Sequence, residues 1–66
     1  MTKTIEFYEE RAREAAEEAR NATLENVRQR ALRSEATWRK MADRAIDVEA
    51  ARARRIDEAK RARDAE

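Results

Sequence analysis

Apolar residues recur at helical spacing in two separate runs along the chain. In the first run Ile5, Tyr8, Ala12, Ala15, Ala16 and Ala19 lie three or four residues apart. At about 100° per residue such positions share one face of a helix. The pattern predicts a helix over about 4–20. Thr2 or Thr4 would cap it by accepting from the orphan N–H groups of the first turn. Glu6 would lie near its positive end. Phe7 falls off the stripe, toward the far side.

The second run comprises Leu24, Val27, Ala31, Trp38, Met41, Ala42, Ala45, Ile46, Ala53, Ile56 and Ala59. It predicts a helix over about 24–61 with a frayed end beyond, and leaves its continuity past Val48 open. Leu32, Ala36 and Ala50 widen the stripe, while Ser34, Glu35, Glu49 and Arg52 interrupt it. A strict heptad is not sustained, which disfavours a long regular coiled coil. Glu9 with Arg13, Glu35 with Arg39 and Asp57 with Arg61 stand four apart, in the order that supports a helix.

Asn21, Ala22 and Thr23 form the one credible break, at residues 21–23. Asn21 can replace glycine in a left-handed C-terminal cap, and Thr23 is a permitted N-cap. The alternative is one continuous helix, which would leave both stripes in water. A hairpin folded here sets Ala19 against Leu24, Ala16 against Val27, Ala12 against Ala31 and Ile5 against Trp38. The first helix would be ~25 Å long and the second ~57 Å. Past Trp38 the first helix runs out, and Met41, Ala42, Ala45, Ile46, Ala53 and Ile56 are expected to lack cover from their own chain. Trp38, Met41, Ala45, Ile46, Ala53 and Ile56 are therefore the expected contact residues, with Trp38 where the core within one chain meets that between chains. Phe7 and Val48, off the main stripes, are further candidates for an exposed contact.

Composition reinforces the helices. The 66 residues contain no Gly, Pro, Cys or His, and 47% are charged. Hairpin strands need turn formers that are scarce here, so a sheet protein is excluded. Fifteen of the apolar residues are Ala, leaving few large side chains for a core. Domains this small commonly need a disulfide, a metal or a second copy, and a homodimer is the remaining choice. No stretch approaches the ~20 apolar residues that span a membrane, and no apolar leader is expected. A cytoplasmic protein is the expectation.

The net charge is +1, but residues 1–22 carry six acids and four bases while residues 23–66 carry nine acids and twelve bases. An acidic first helix and a basic second one suit packing on each other or on a second copy. The bases Arg28, Arg30, Arg33, Arg39, Lys40 and Arg44 are the best hook for nucleic acid. They are expected to point in several directions, so nucleic acid is not the expected partner.

Candidate chemistry is nearly absent. Without His or Cys the usual zinc sites and the Ser-His-Asp and Cys-His systems cannot be assembled. Ser34 has no base to activate it, and there is no Gly-rich phosphate loop. Glu14, Glu17 and Glu18 read as a solvated acidic face. Glu35 and Glu49 lie within the stripe, either at its edge or paired with Arg28, Arg39 or Arg52 across a dimer. No cofactor, metal or catalytic residue is expected.

Tyr8, Ala12, Glu14-Ala15, Ala19, Thr23-Leu24-Glu25-Asn26-Val27-Arg28, Ala31-Leu32-Arg33, Glu35-Ala36, Trp38 and Met41-Ala42-Asp43-Arg44-Ala45 together resemble small alphaproteobacterial helical-hairpin proteins with no established activity. The resemblance covers about residues 5–48. It implies a Tyr- and Ala-bearing first helix, a short turn, and a second helix with an aromatic followed by a small-residue pair. It implies shape and no function. The sequence thus predicts an all-α antiparallel hairpin with a long second helix, dimerising into a four-helix bundle. Its expected role is a self-associating interaction or structural module and not an enzyme. The alternatives are a small regulator that binds another protein through the stripe of the second helix, and a nucleic-acid accessory protein using the Arg-rich face.

Overall fold

The structure, a computed structural model, describes residues 2–65, with the side chain of Thr2 outside the description. Two helices make up the described chain, α1 over Thr2–Asn21 and α2 over Glu25–Ala65, packed against each other. No strand forms among the described residues. Ala, Arg and Glu dominate both helices, and all three favour this conformation.

Both helices extend past their expected limits. α1 begins at Thr2, so Thr4 lies inside the first turn and does not cap it; the proposed Thr2 side-chain cap lies outside the described residues. That first turn holds no acid, so Glu6 falls just beyond it. α2 runs unbroken past Val48 to Ala65. With no Gly or Pro to interrupt it, an ion pair between Asp57 and Arg61 supports the distal part.

The connection differs from the expected caps. Asn21 belongs to α1, and no described residue has a positive φ, so the left-handed Asn21 cap is not used. The N–H of Ala22 instead donates to the Ala19 carbonyl at 3.4 Å, a tighter closing turn. Thr23 is not the N-cap either. The Leu24 carbonyl accepts the first bond of α2, from Arg28 N–H at 3.0 Å, so Leu24 holds the capping position. Leu24 has no acceptor to offer, and its side chain is 62% exposed. The Val27 N–H donates to Asn26 Oδ1 at 3.0 Å and is satisfied there.

Among the described residues only alanine is buried: Ala12, Ala15 and Ala19 on α1, Ala31 and Ala42 on α2. Ile5, Tyr8 and Ala16 on α1 are half-buried, as are Ala22 in the connection and Val27, Glu35, Trp38, Ala45, Glu49 and Ala51 on α2. The covered positions 5, 8, 12, 15, 19 and 22 alternate steps of three and four, and so do 31, 35, 38, 42, 45 and 49. Over these positions the spacing is that of a heptad, but Ala16, Val27 and Ala51 fall off it and it ends at Glu49, so no heptad is sustained along α2, as expected. Small residues, and a glutamate that reaches the edge, occupy seam positions usually held by large apolar ones. Large residues flank the seam instead, which is why Leu32, Met41 and Ile46 stay exposed.

The register is also shifted. Trp38 packs on Phe7 and Tyr8 with ring centroids 5.9 Å apart in each case, closing the open end with Tyr8 as expected, about three residues from the level set by Ile5. The three-residue connection 22–24 moves each level of α1 by about one turn relative to α2. α1 consequently reaches farther along α2, and Ala42, expected to be uncovered, is buried. The molecule measures 64 × 16 × 11 Å. At 1.5 Å per residue α1 is ~30 Å and α2 ~61 Å, so α2 projects ~30 Å beyond its partner.

Candidate interaction surface

The aromatic cluster closes the open end of the Ala seam. Phe7 meets Trp38 edge-on, at 89° between ring planes, and Tyr8 lies tilted on Trp38 at 31°. Phe7 is therefore not on the far side of α1. It flanks the seam, with the Arg11 guanidinium 5.1 Å from its ring centroid. Arg11 also contacts Glu14 at 3.3 Å. Ring quadrupoles favour such edge contacts, and a cation over a ring face adds to them.

Next to this cluster, toward the projecting half of α2, an open groove of about 340 Å³ lies between the helices. Thr4 and Tyr8 line it from α1, and Met41, Arg44, Ala45, Val48 and Glu49 from α2. Of the expected contact residues, Met41 and Ala45 are brought together here, and Trp38 sits behind them against Tyr8. Ile46 lies on the opposite flank of the seam and is exposed. Ala53 and Ile56 lie on the projecting segment, away from the groove, with Ile56 64% exposed. Tyr8 and Glu49 lie on the stripes read from the sequence, Glu49 as a candidate for pairing across a dimer, whereas Thr4 and Arg44 lie off the stripes and had no signal there.

The charges sort into paired and unpaired sets. Arg28 Nε and Nη2 donate to Glu25 at 3.1 and 2.8 Å, and Gln29 donates to the same carboxylate at 2.7 Å. The Arg28 and Gln29 hydrogen bonds hold the Glu25 carboxyl below its ordinary range, and the same contact raises Arg28. Arg39 pairs with Glu35 at 2.6 Å, leaving the Glu35 side chain only 20% exposed beside Ala16 and Leu32. Glu35 is thus an edge residue satisfied within its own chain. Glu9 and Arg13 form no pair, while Asp57 and Arg61 do.

Arg30, Arg33, Lys40 and Arg44 make no ion pair among the described residues. Steps of three, seven and four residues separate them, so they share one face of α2. The expectation that the bases point in several directions is corrected for these four. The two paired bases, Arg28 and Arg39, face elsewhere.

Among the described residues no helix is long and apolar enough to cross a membrane. No group of acidic side chains among them is gathered as a metal site would require. No protein-family model, curated protein or solved structure matches the chain.

Proposed function

We propose that this chain is a self-associating helical interaction module, a homodimer of four helices, and not an enzyme. One observation carries the reading: half of α2 stands clear of α1 while keeping apolar residues on the side that α1 covers lower down. Ala45 belongs to the covered seam, and Ile56, eleven residues or about three turns on, continues its line into solvent. A helix standing alone in water stabilises itself poorly compared with one that buries a face. The seam inside one chain contains no buried residue larger than Ala, so its own burial contributes little. A second copy covers both deficits. The likeness to alphaproteobacterial hairpins and a cytoplasmic setting belong to the same proposal; they add no activity.

Sedimentation across a concentration series tests it. The expected mass is twice the 7.8 kDa of one chain. Ile56→Glu should shift the equilibrium toward monomer, because a charge buried in a seam without a partner costs several kcal/mol. A wild-type chain that remains monomeric at about millimolar concentration, where even complexes of ~4 kcal/mol assemble, overturns the reading. The surface would then pass to a different protein.

The shared face of Arg30, Arg33, Lys40 and Arg44 favours a second reading, nucleic-acid binding through phosphates. Affinity for duplex DNA or RNA should then fall steeply with salt, and more gently after Arg33→Gln with Lys40→Gln. No binding at low salt by micromolar protein eliminates it.

A further inference from the structure

We infer that the groove beside Tyr8 is the homodimer surface, and that two α2 helices cross it antiparallel, overlapped along their full length. The inference rests on the self-association proposed above and adds orientation and contacts. Three observations point the same way.

The first is symmetry. A two-fold interface uses the same patch on both copies, so residue i meets j and j meets i. α2 spans Glu25–Ala65, and Ala45 is its midpoint. The groove is centred there. Met41 lies four residues before the midpoint and Val48 three after, and both line the groove. Full antiparallel overlap therefore sets Met41 of each copy opposite Val48 of the other. The small Ala45 occupies the crossing, where the helix axes come closest.

The second is charge. Arg44 and Glu49 line the same groove on either side of that crossing, and neither has an ion pair among the described residues. Across the two-fold axis the two Arg44 side chains fall on one side of the α2 pair and the two Glu49 side chains on the other, so these local charges do not choose the direction. On a larger scale, α1 carries six acids against four bases, whereas residues 50–66 carry six bases against four acids. Antiparallel overlap lays the basic projecting half of one copy along the acidic α1 of the other. Parallel overlap would set basic half beside basic half.

The third is length. α1 has 20 residues and α2 has 41. Two copies of α1 placed end to end match one α2. In the antiparallel pair each level then contains both α2 helices and one α1, and neither projecting half is left bare. A tail-to-tail pair would leave each projecting half covered by one helix only, and a hairpin-on-hairpin pair would leave both tails as an isolated two-helix stalk.

Two measurements test this. The chain has no cysteine, so Glu58→Cys takes a single spin label on the exposed tail. Full antiparallel overlap places the two labels about 40 Å apart, from the 1.5 Å rise. Parallel or tail-to-tail pairing brings them within about 20 Å, which overturns the orientation. The contacts are read by introduced charges. Met41→Glu and Val48→Glu should each weaken dimerisation about tenfold or more, with helicity retained by circular dichroism. Met41→Glu combined with Val48→Lys should recover most of the loss, because the two positions face each other across the axis and the introduced charges pair. Single variants that dimerise like the wild type, or a double variant no better than the singles, overturn the groove as the surface while leaving self-association standing. A wild-type chain that never dimerises overturns both.

Discussion

At the scale of single residues, the start of α2 is the least optimised place in the chain. Leu24 occupies the capping position without an acceptor, and Thr23, which has one, sits a residue too early. Leu24→Asp should stabilise the fold by about 1 kcal/mol, since an aspartate there accepts from the free N–H groups of the first turn. Thr23→Ala should change stability by less than about 0.5 kcal/mol. Urea denaturation followed by circular dichroism measures both. A Thr23→Ala loss as large as the Leu24→Asp gain would return the cap to Thr23. One position on, Glu25 gathers Arg28 and Gln29. Its folded pKa is lowered from 4.5. A lowered carboxyl stabilises the fold above its unfolded pKa, and that contribution is lost as pH falls through the folded value. Amide shifts of residues 25–29 should therefore move as acid is added below about pH 4.5. Glu25→Gln should flatten that response, and an unchanged titration in the variant would assign it to another acid.

At the scale of the helix pair, the seam works because it is small. Ala12, fully buried, lies where the α1 backbone comes near α2. Interiors are close-packed, so added methylenes must push the helices apart. Ala12→Leu should cost about 1–3 kcal/mol. Ala62→Leu on the exposed tail should cost almost nothing in the same assay. Equal effects at the two sites would mean that α1 and α2 are not tightly apposed at Ala12. The heptad spacing was present in the sequence at positions 5, 8, 12, 15, 19 and 22. On α2 it holds only over residues 31–49, where Glu35 and Glu49 interrupt the apolar stripe at seam positions. Glu35 is tolerated because Arg39, one turn on, pairs with it at the seam's edge.

At the scale of the whole molecule, the shape is a rod 64 Å long and no more than 16 Å across. A thin rod has a large surface for its volume, so one chain buries a small share of its apolar area. The proposed dimer links folding to association. The melting temperature of the wild-type chain should then rise with protein concentration, because mass action favours the assembled state. Met41→Glu should flatten that dependence before it changes the helicity measured at low concentration. A melting temperature independent of concentration over two decades would mean that the hairpin is stable alone.

The sequence by itself determined the helices, the break between them and the face of α1 that packs. Those follow from local rules: Ala, Arg and Glu favour helix, the absence of Gly and Pro lets α2 run on, and three-four spacing marks one side. Tertiary structure decided what depends on two segments at once. It closed the connection without a left-handed residue and made Leu24 the first acceptor of α2. It turned Trp38 onto Tyr8 and drew Phe7 in from the supposed outer face. It buried Ala42 and opened a groove over the midpoint of α2. A register shift of about one turn accounts for Trp38 lying level with Tyr8 and for the cover over Ala42. Helical periodicity repeats nearly every turn, so hairpins one turn apart match the same pattern almost equally well. Only the contact between the two helices, Ala against Ala and ring against ring, tells them apart.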